Sequence, residues 1–220
     1  MSPASAGGII GLDRFRSLWQ RCLIEGAADN SSEIHQHLLD GYQEPQRHYH
    51  TLAHIEQCLG MFDQCKLLAS KPDALELAVW FHDVIFEPGK SDNEKRSAQL
   101  YLQLSDGVHD EPTRGLVDRL IMATLHDGSS LADSDAIYMV DIDLSSFGLS
   151  WDEFLQDSQN LRLESAALSD AEYYRRKTNF QSCLLAKERF YLSDYFAERL
   201  ETQARANLAR YFAYLDQQQG

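Results

Sequence analysis

Hydrophobic positions recur along most of this chain at intervals of three and four, the repeat of a helix with one buried stripe. Over 12–26 the stripe is Leu12, Phe15, Leu18, Trp19, Cys22 and Leu23. A second helix is predicted over 31–42, where Ser31 and Ser32 are N-cap candidates and Glu33 follows. A third, over 50–69, carries Leu52, Ile55, Leu59, Phe62 and Leu68. Pro72 and Asp73 then start the most apolar helix, predicted over 74–86. Its Leu75, Ala78, Val79 and His82 share a face, and Pro88-Gly89 closes it. Ser91-Asp92 reads as the cap of a helix running to about Leu104. Leu116, Leu120, Ile121 and Leu125 mark another, ending near His126-Asp127-Gly128. The segments 133–144, 151–168, 171–192 and 193–216 predict four more. Strand-like alternation is scarce, and no repeat, low-complexity tract or linker interrupts the pattern. The expectation is an all-α fold in a single domain over 1–220.

Composition adds limits. The 220 residues allow about 70% of the unfolded surface to be buried, so a core needs no disulfide or structural metal. Lys plus Arg is 20 against 34 Asp plus Glu, a net charge of −14. That surface repels phosphate backbones, which weighs against polymeric nucleic acid as a partner. No apolar run reaches the roughly 20 residues of a membrane span. Residues 1–11 lack the basic start and apolar run of a signal peptide. Cys22, Cys58, Cys65 and Cys183 form no C-x-x-C pair and sit in apolar helical surroundings. They read as buried free thiols in a reducing, cytoplasmic setting.

Three segments place ionisable side chains where helices should be buried. His82-Asp83 closes the run Leu77-Ala78-Val79-Trp80-Phe81, where an unpaired carboxylate costs several kcal/mol or more. His50 and His54 are four apart, on one face of a helix whose Ile55, Leu59 and Phe62 pack inward. Asp141 and Asp143 lie within Val140-Asp141-Ile142-Asp143-Leu144. A buried histidine paired with a carboxylate, a surface histidine pair and a solvated turn would account for these one at a time. A single divalent ion accounts for all three at once. Imidazole with carboxylate suits Mn, Fe, Co, Ni or Zn, with Mg also compatible with the carboxylates. With no cysteine among the candidates, a closed structural zinc site is disfavoured.

The order of these motifs resembles the HD-domain superfamily of metal-dependent phosphohydrolases, and a bacterial branch of it in particular. The matching stretches are Arg47-His48-Tyr49-His50 through His54-Ile55, Trp80-Phe81-His82-Asp83, Asp92-Asn93-Glu94-Lys95-Arg96-Ser97-Ala98, and Asp141-Ile142-Asp143-Leu144. The resemblance is strong over about 45–150 and loose elsewhere. It implies an HD-type helical bundle with a metal-binding core at about 45–150 and helices of about 151–216 packed on it. It implies His54, His82, Asp83 and Asp143 as ligands of a divalent ion, with Asp143 preferred to Asp141 for its Asp-Leu pair. Two-metal members add two histidines. Here His126 follows a helix and can reach the site, whereas His109 lies in a polar loop that reads as surface.

The implied activity is hydrolysis of a small phosphorylated metabolite or nucleotide by a metal-activated water. His50 is a candidate general acid and Glu94 a candidate for positioning water or a substrate hydroxyl. Glu94 also fits a carboxylate favoured at a helix N-terminus. Arg47 and Arg96 are candidate phosphate ligands, though Arg96 also fits a solvated helix face. A mixed-valent di-iron oxygenase and a non-catalytic ligand sensor are the alternatives. Neither the substrate nor the oligomeric state is legible.

Overall fold

A computed structural model describes residues 11–126 and 133–219. Among them the protein is all-α. The only β pairing among the described residues is an isolated bridge between Leu23 and His109. The helices are α1 (Leu12–Arg21), α2 (Ser31–Tyr42), α3 (Leu52–Cys65), α4 (Pro72–Phe81), α5 (Asn93–Leu104), α6 (Glu111–Met122), α7 (Ser134–Asp143), α8 (Trp151–Glu164), α9 (Asp170–Leu185) and α10 (Asp194–Gln219). No helix among the described residues is long and apolar enough to cross a membrane.

The central helix is α4. Every residue from Ala74 to Phe81 is buried, so it is surrounded rather than amphipathic. Pro72 occupies its first turn, where a missing N–H costs nothing. Just before it, the amides of Ser70 and Lys71 donate to the buried Asp135 carboxylate of α7 at 2.8 and 2.7 Å. α1, α3, α6 and α7 pack around α4. On α3, His54, Ile55, Cys58, Leu59, Phe62 and Cys65 form the buried face.

The C-terminal helices join the core through polar anchors. The buried Asp141 carboxylate accepts from the amides of Leu192 and Ser193 at 2.8 and 2.7 Å, and from the Ser193 hydroxyl at 2.6 Å. Those contacts fix the start of α10. Further along, Asn207 donates to the carbonyls of Phe147 and Leu149 at 2.9 and 2.8 Å. The backbone at Gly148 passes so close to α10 that a Cβ there would lie 2.6 Å from Leu200 Cβ.

Three sequence expectations change. The α4 helix ends at Phe81, with His82 as its C-cap, rather than at residue 86. Ser97 accepts from the Ile85 amide, and Arg47 binds the carbonyls of Asp83 and Val84. The peptide groups past His82 thus bond to side chains instead of extending the helix. Ser31 is the first residue of α2 rather than its cap; Asn30 takes that position, but its oxygen accepts from the Trp19 indole. Of the four free cysteines, Cys58 and Cys65 are buried, but Cys183 is exposed and Cys22 half-buried. Asp127 and Gly128, expected to close a helix, lie outside the described residues, as do residues 1–10.

Candidate metal centre

Two helix C-termini meet at one point. α4 delivers His82 and Asp83, α7 delivers Asp143, and the first turn of α3 brings His54 alongside. The negative ends of two helix dipoles there favour a cation over an anion. The chain from α2 into α3 wraps the end of α4 and fixes it. Tyr42 donates to the Trp80 carbonyl at 2.9 Å. Arg47 donates to the carbonyls of Asp83, Val84 and His50 at 2.7, 2.8 and 3.1 Å. Gly41 lets α2 approach; a Cβ there would sit 2.9 Å from the Val84 carbonyl oxygen.

The four side chains converge. The Nε2 atoms of His54 and His82 are 3.3 Å apart. Asp83 Oδ2 lies 3.0 Å from His82 Nε2 and 3.5 Å from His54 Nε2. Asp143 Oδ1 lies 3.4 Å from His54 Nε2 and 3.6 Å from His82 Nε2. One donor atom from each residue falls within 4.8 Å of the others. Donors about 2.1 Å from a shared ion lie roughly 3.0 Å apart in an octahedron and 3.4 Å apart in a tetrahedron. The observed edges match those spacings, so the residues fit a divalent ion. His82 Nδ1 is 3.0 Å from the Val79 carbonyl, which can only accept. That places the ring proton on Nδ1 in the neutral form and leaves the Nε2 lone pair facing the centre.

Without an ion the charges compensate one another. Burial opposes the imidazolium of His82, but Asp83 and Asp143 outweigh it and hold its pKa well above the usual value. Burial likewise opposes ionisation of Asp83 and Asp143. His82 and His50 nevertheless hold Asp83 low, and hydrogen bonds from His126, His54 and His82 hold Asp143 low.

His126 reaches the same aspartate from the far side. Its Nε2 lies 2.8 Å from Asp143 Oδ2, the oxygen turned away from the imidazoles of His54 and His82. It has φ 51°, the one non-glycine residue in the left-handed region among those described. A backbone in that region marks a position that its surroundings hold in place. His109 does not join it. Contrary to the surface expectation, His109 is 3% exposed, with its ring 4.1 Å from that of Trp19 and its Nδ1 3.0 Å from the Tyr101 hydroxyl. Burial lowers its pKa to about 4, so it stays neutral in an aromatic layer away from the centre.

The other expected site residues divide. His50 stacks on Phe86 with centroids 4.0 Å apart, and its Nδ1 lies 2.7 Å from Glu164 Oε2. Burial would depress its pKa, but Asp83 and Glu164 raise it. Glu94 is half-buried; burial, then Asp83 and Asp143, raise its pKa, which puts it within electrostatic reach of the centre. Arg47 differs from its expectation. Its side chain is 1% exposed and its guanidinium is bound to Glu44 and three carbonyls, so it braces the site and is closed to a phosphate from solvent. Arg96 pairs with Glu87 at 2.6 Å and is 37% exposed; it belongs to the outer face of α5 rather than to the ligand cluster.

Two residues escaped the sequence reading. Glu164, from the end of α8, accepts from the amides of His48, Tyr49 and His50 at 2.8, 2.8 and 2.9 Å, besides holding the His50 ring. Nothing local in its helix signals this, because its partners are over a hundred residues away. Cys58 lies 3.7 Å from His54 Nε2, and the His54-x-x-x-Cys58 spacing was a signal within reach.

A groove of about 390 Å³ between α3 and α8 runs past His54, Tyr49 and Gln57 on one wall and Gln156, Asp157 and Asn160 on the other. A cavity of about 500 Å³ between α9 and α10 is larger but holds none of the cluster. The smaller groove is the one beside the chemistry. Fold and site together define an all-α protein with a cluster of two buried histidines and two partly buried aspartates able to hold a metal ion. The chain matches no known family profile, no curated protein and no solved structure.

Proposed function

We propose that the protein is an HD-type, metal-dependent phosphohydrolase acting on a small phosphorylated metabolite or nucleotide. The observation that carries this reading is the convergence of His54, His82, Asp83 and Asp143, from three separate segments, within 4.8 Å. When bound, a divalent ion supplies Lewis acidity toward a phosphoryl oxygen and lowers the pKa of water.

The side chains around it divide the remaining work. Asp83 and Asp143 neutralise the ion, while His54 and His82 complete its protein ligands. His50, held through Nδ1 by Glu164, keeps Nε2 for a proton delivered to the leaving oxygen. Glu94, with its pKa raised, orients an attacking water by accepting its hydrogen bond. With Arg47 bound internally, the charge of a phosphate falls to the ion, His50 and His126. The acidic groove beside His54, with Gln57, Gln156 and Asn160, offers hydrogen bonds to substrate hydroxyls. A di-iron oxygenase is less well supported, since His109 is buried elsewhere.

Purified protein should release phosphate from members of a panel of small phosphorylated compounds with added Mn, Co, Ni or Mg. Asp83→Ala should lose that activity by more than about 100-fold. Full activity in a folded Asp83→Ala protein would overturn the proposal.

A further inference from the structure

The groove beside His54 has a chemical bias that a general phosphate-ester site does not need. Its walls carry three carboxylates, Asp152, Glu153 and Asp157, and no lysine or arginine among the described residues. Two of the three have structural duties. Asp152 and Glu153 stand in the first turn of α8, where the helix dipole favours negative charge, and Glu153 closes a capping box with Ser150. Asp157 lies a full turn further on, past the reach of that effect. It is half-buried, and no hydrogen bond or ion pair engages its carboxylate among the described residues. Lys177 is close enough to act on it electrostatically, but its amine donates to the Ser158 carbonyl and the Tyr173 hydroxyl, both at 3.3 Å. Burial is the largest influence on Asp157 and raises its pKa to about 6. Its ionised form lacks the N–H donors that Asp135, Asp141 and Glu164 receive from the protein, so a cation from outside would fill the gap.

The rest of the wall suits the same kind of guest. Ser145 Oγ donates to the Ile142 carbonyl at 2.6 Å, so that hydroxyl accepts from the Gln57 amide nitrogen 3.0 Å away. This fixes the orientation of the Gln57 amide and leaves its Oε1 as an acceptor. Tyr49 also lines the groove; its ring centroid is 4.8 Å from that of His54, and its hydroxyl is anchored 3.0 Å from Ser146 Oγ. An aromatic face near carboxylates attracts a cation by its own electrostatics as well as theirs. A negatively charged tail, such as a second phosphate or a carboxylate, would instead meet three like charges. The volume of about 390 Å³ is that of a small-metabolite site.

We infer that the groove takes the leaving group of an amine-bearing phosphate monoester, with Asp157 as the partner of its ammonium group. The inference rests on the phosphohydrolase reading and names the substrate class for it. An ammonium has three N–H donors and no acceptor, which matches the acceptors that Asp157 and Gln57 offer. Hydrolysis breaks the phosphorus–oxygen ester bond. Water supplies the oxygen added to phosphorus and the proton that the departing amino alcohol takes up. Asp157 touches the substrate away from the reacting atoms, so its role is specificity. A hydroxyl in place of the ammonium keeps a hydrogen bond but loses the charge.

Manganese-loaded full-length protein and paired substrates test this. The pairs are straight-chain aminoalkyl phosphates, from aminoethyl to aminohexyl, each against the hydroxyalkyl phosphate of the same length, with nucleoside monophosphates alongside. The best amine should exceed its hydroxyl counterpart in kcat/KM by at least about tenfold. Asp157→Asn keeps the shape and removes the charge; it should bring that ratio close to one, chiefly by raising KM for the amine. Calorimetry with the matching phosphonates, which resist hydrolysis, should rank amine and hydroxyl the same way, and added salt should narrow the gap. Should Asp157→Asn fail to fold, the wild-type ratio and the phosphonate ranking decide the matter. Equal handling of amine and hydroxyl, a preference unchanged in Asp157→Asn, or cleavage confined to nucleoside monophosphates would overturn the inference and leave the hydrolase reading intact. No cleavage of any phosphate compound would overturn both.

Discussion

Asp141 and Asp143 sit two residues apart at the end of one helix, yet they belong to different regions of the molecule. Asp141 faces the start of α10, where two amides and a hydroxyl satisfy its oxygens. Asp143 faces the centre, and its ion-pair partners are the imidazoles of His54, His82 and His126. The same division separates Asp135 and Glu164, which receive backbone amides, from Asp83, which pairs with His54 and His82. A buried carboxylate saturated by N–H donors fastens one segment to another. A partly buried carboxylate whose partners are imidazole nitrogens, themselves available as ligands, is arranged for a cation. Asp135, Asp141 and Glu164 are fully buried and Asp83 and Asp143 only partly so, and the identity of the partner gives that difference its meaning.

The largest effects should come from exchanging one aspartate for the other as the target. Asp143→Ala should abolish the rise in Tm that saturating manganese gives the wild-type protein. At one hundred times Kd that rise corresponds to about 2.7 kcal/mol. Asp141→Ala should keep the rise but start from a less stable protein. It strands three donors in the interior, a loss of roughly 3 kcal/mol, or about 6–12 °C in Tm. Thermal melts with and without manganese separate the two. An Asp141→Ala protein that is as stable as wild type but blind to manganese would invert the comparison.

A smaller effect follows from protonation. In the metal-free protein the pKa of His82 is raised above 6.5, so its contribution to stability is complete below about that pH and fades as pH rises through the higher folded value. Asp83 and Asp143 are held below 3.8, so theirs is complete above that pH and fades as pH falls. The metal-free protein should therefore be most stable between about pH 4 and 6.5 as far as this cluster decides it. An ion must displace the His82 proton, so ion affinity should climb as pH rises above neutrality. Titrations across that range check the sign; affinity that falls with rising pH would contradict it.

The fold was legible because a period of three to four leaves few alternatives, and the helices lie close to where the pattern puts them. The end of α4 was not, since Arg47 and Ser97 stop it from distant points of the chain. Among the candidate ligands, apolar surroundings singled out His82-Asp83, and the motif order chose His54 and Asp143. Periodicity by itself could not separate Asp141 from Asp143, because both lie in the same apolar run and differ only in what α10 brings to one of them. His109 was misread for a related reason. Its neighbours in sequence are polar, but Trp19 and Tyr101 bury it from elsewhere. Arg47 looked like a phosphate ligand because a sequence does not show which carbonyls a guanidinium will meet.

The central claim is that four side chains from three segments hold one ion. Manganese titration of the metal-free protein, followed by electron paramagnetic resonance of the free ion, tests it most directly. One ion should bind per wild-type chain, and His82→Ala should bind it more than about 100-fold more weakly. Equal uptake by the two proteins, or no uptake by the wild type, would contradict the account.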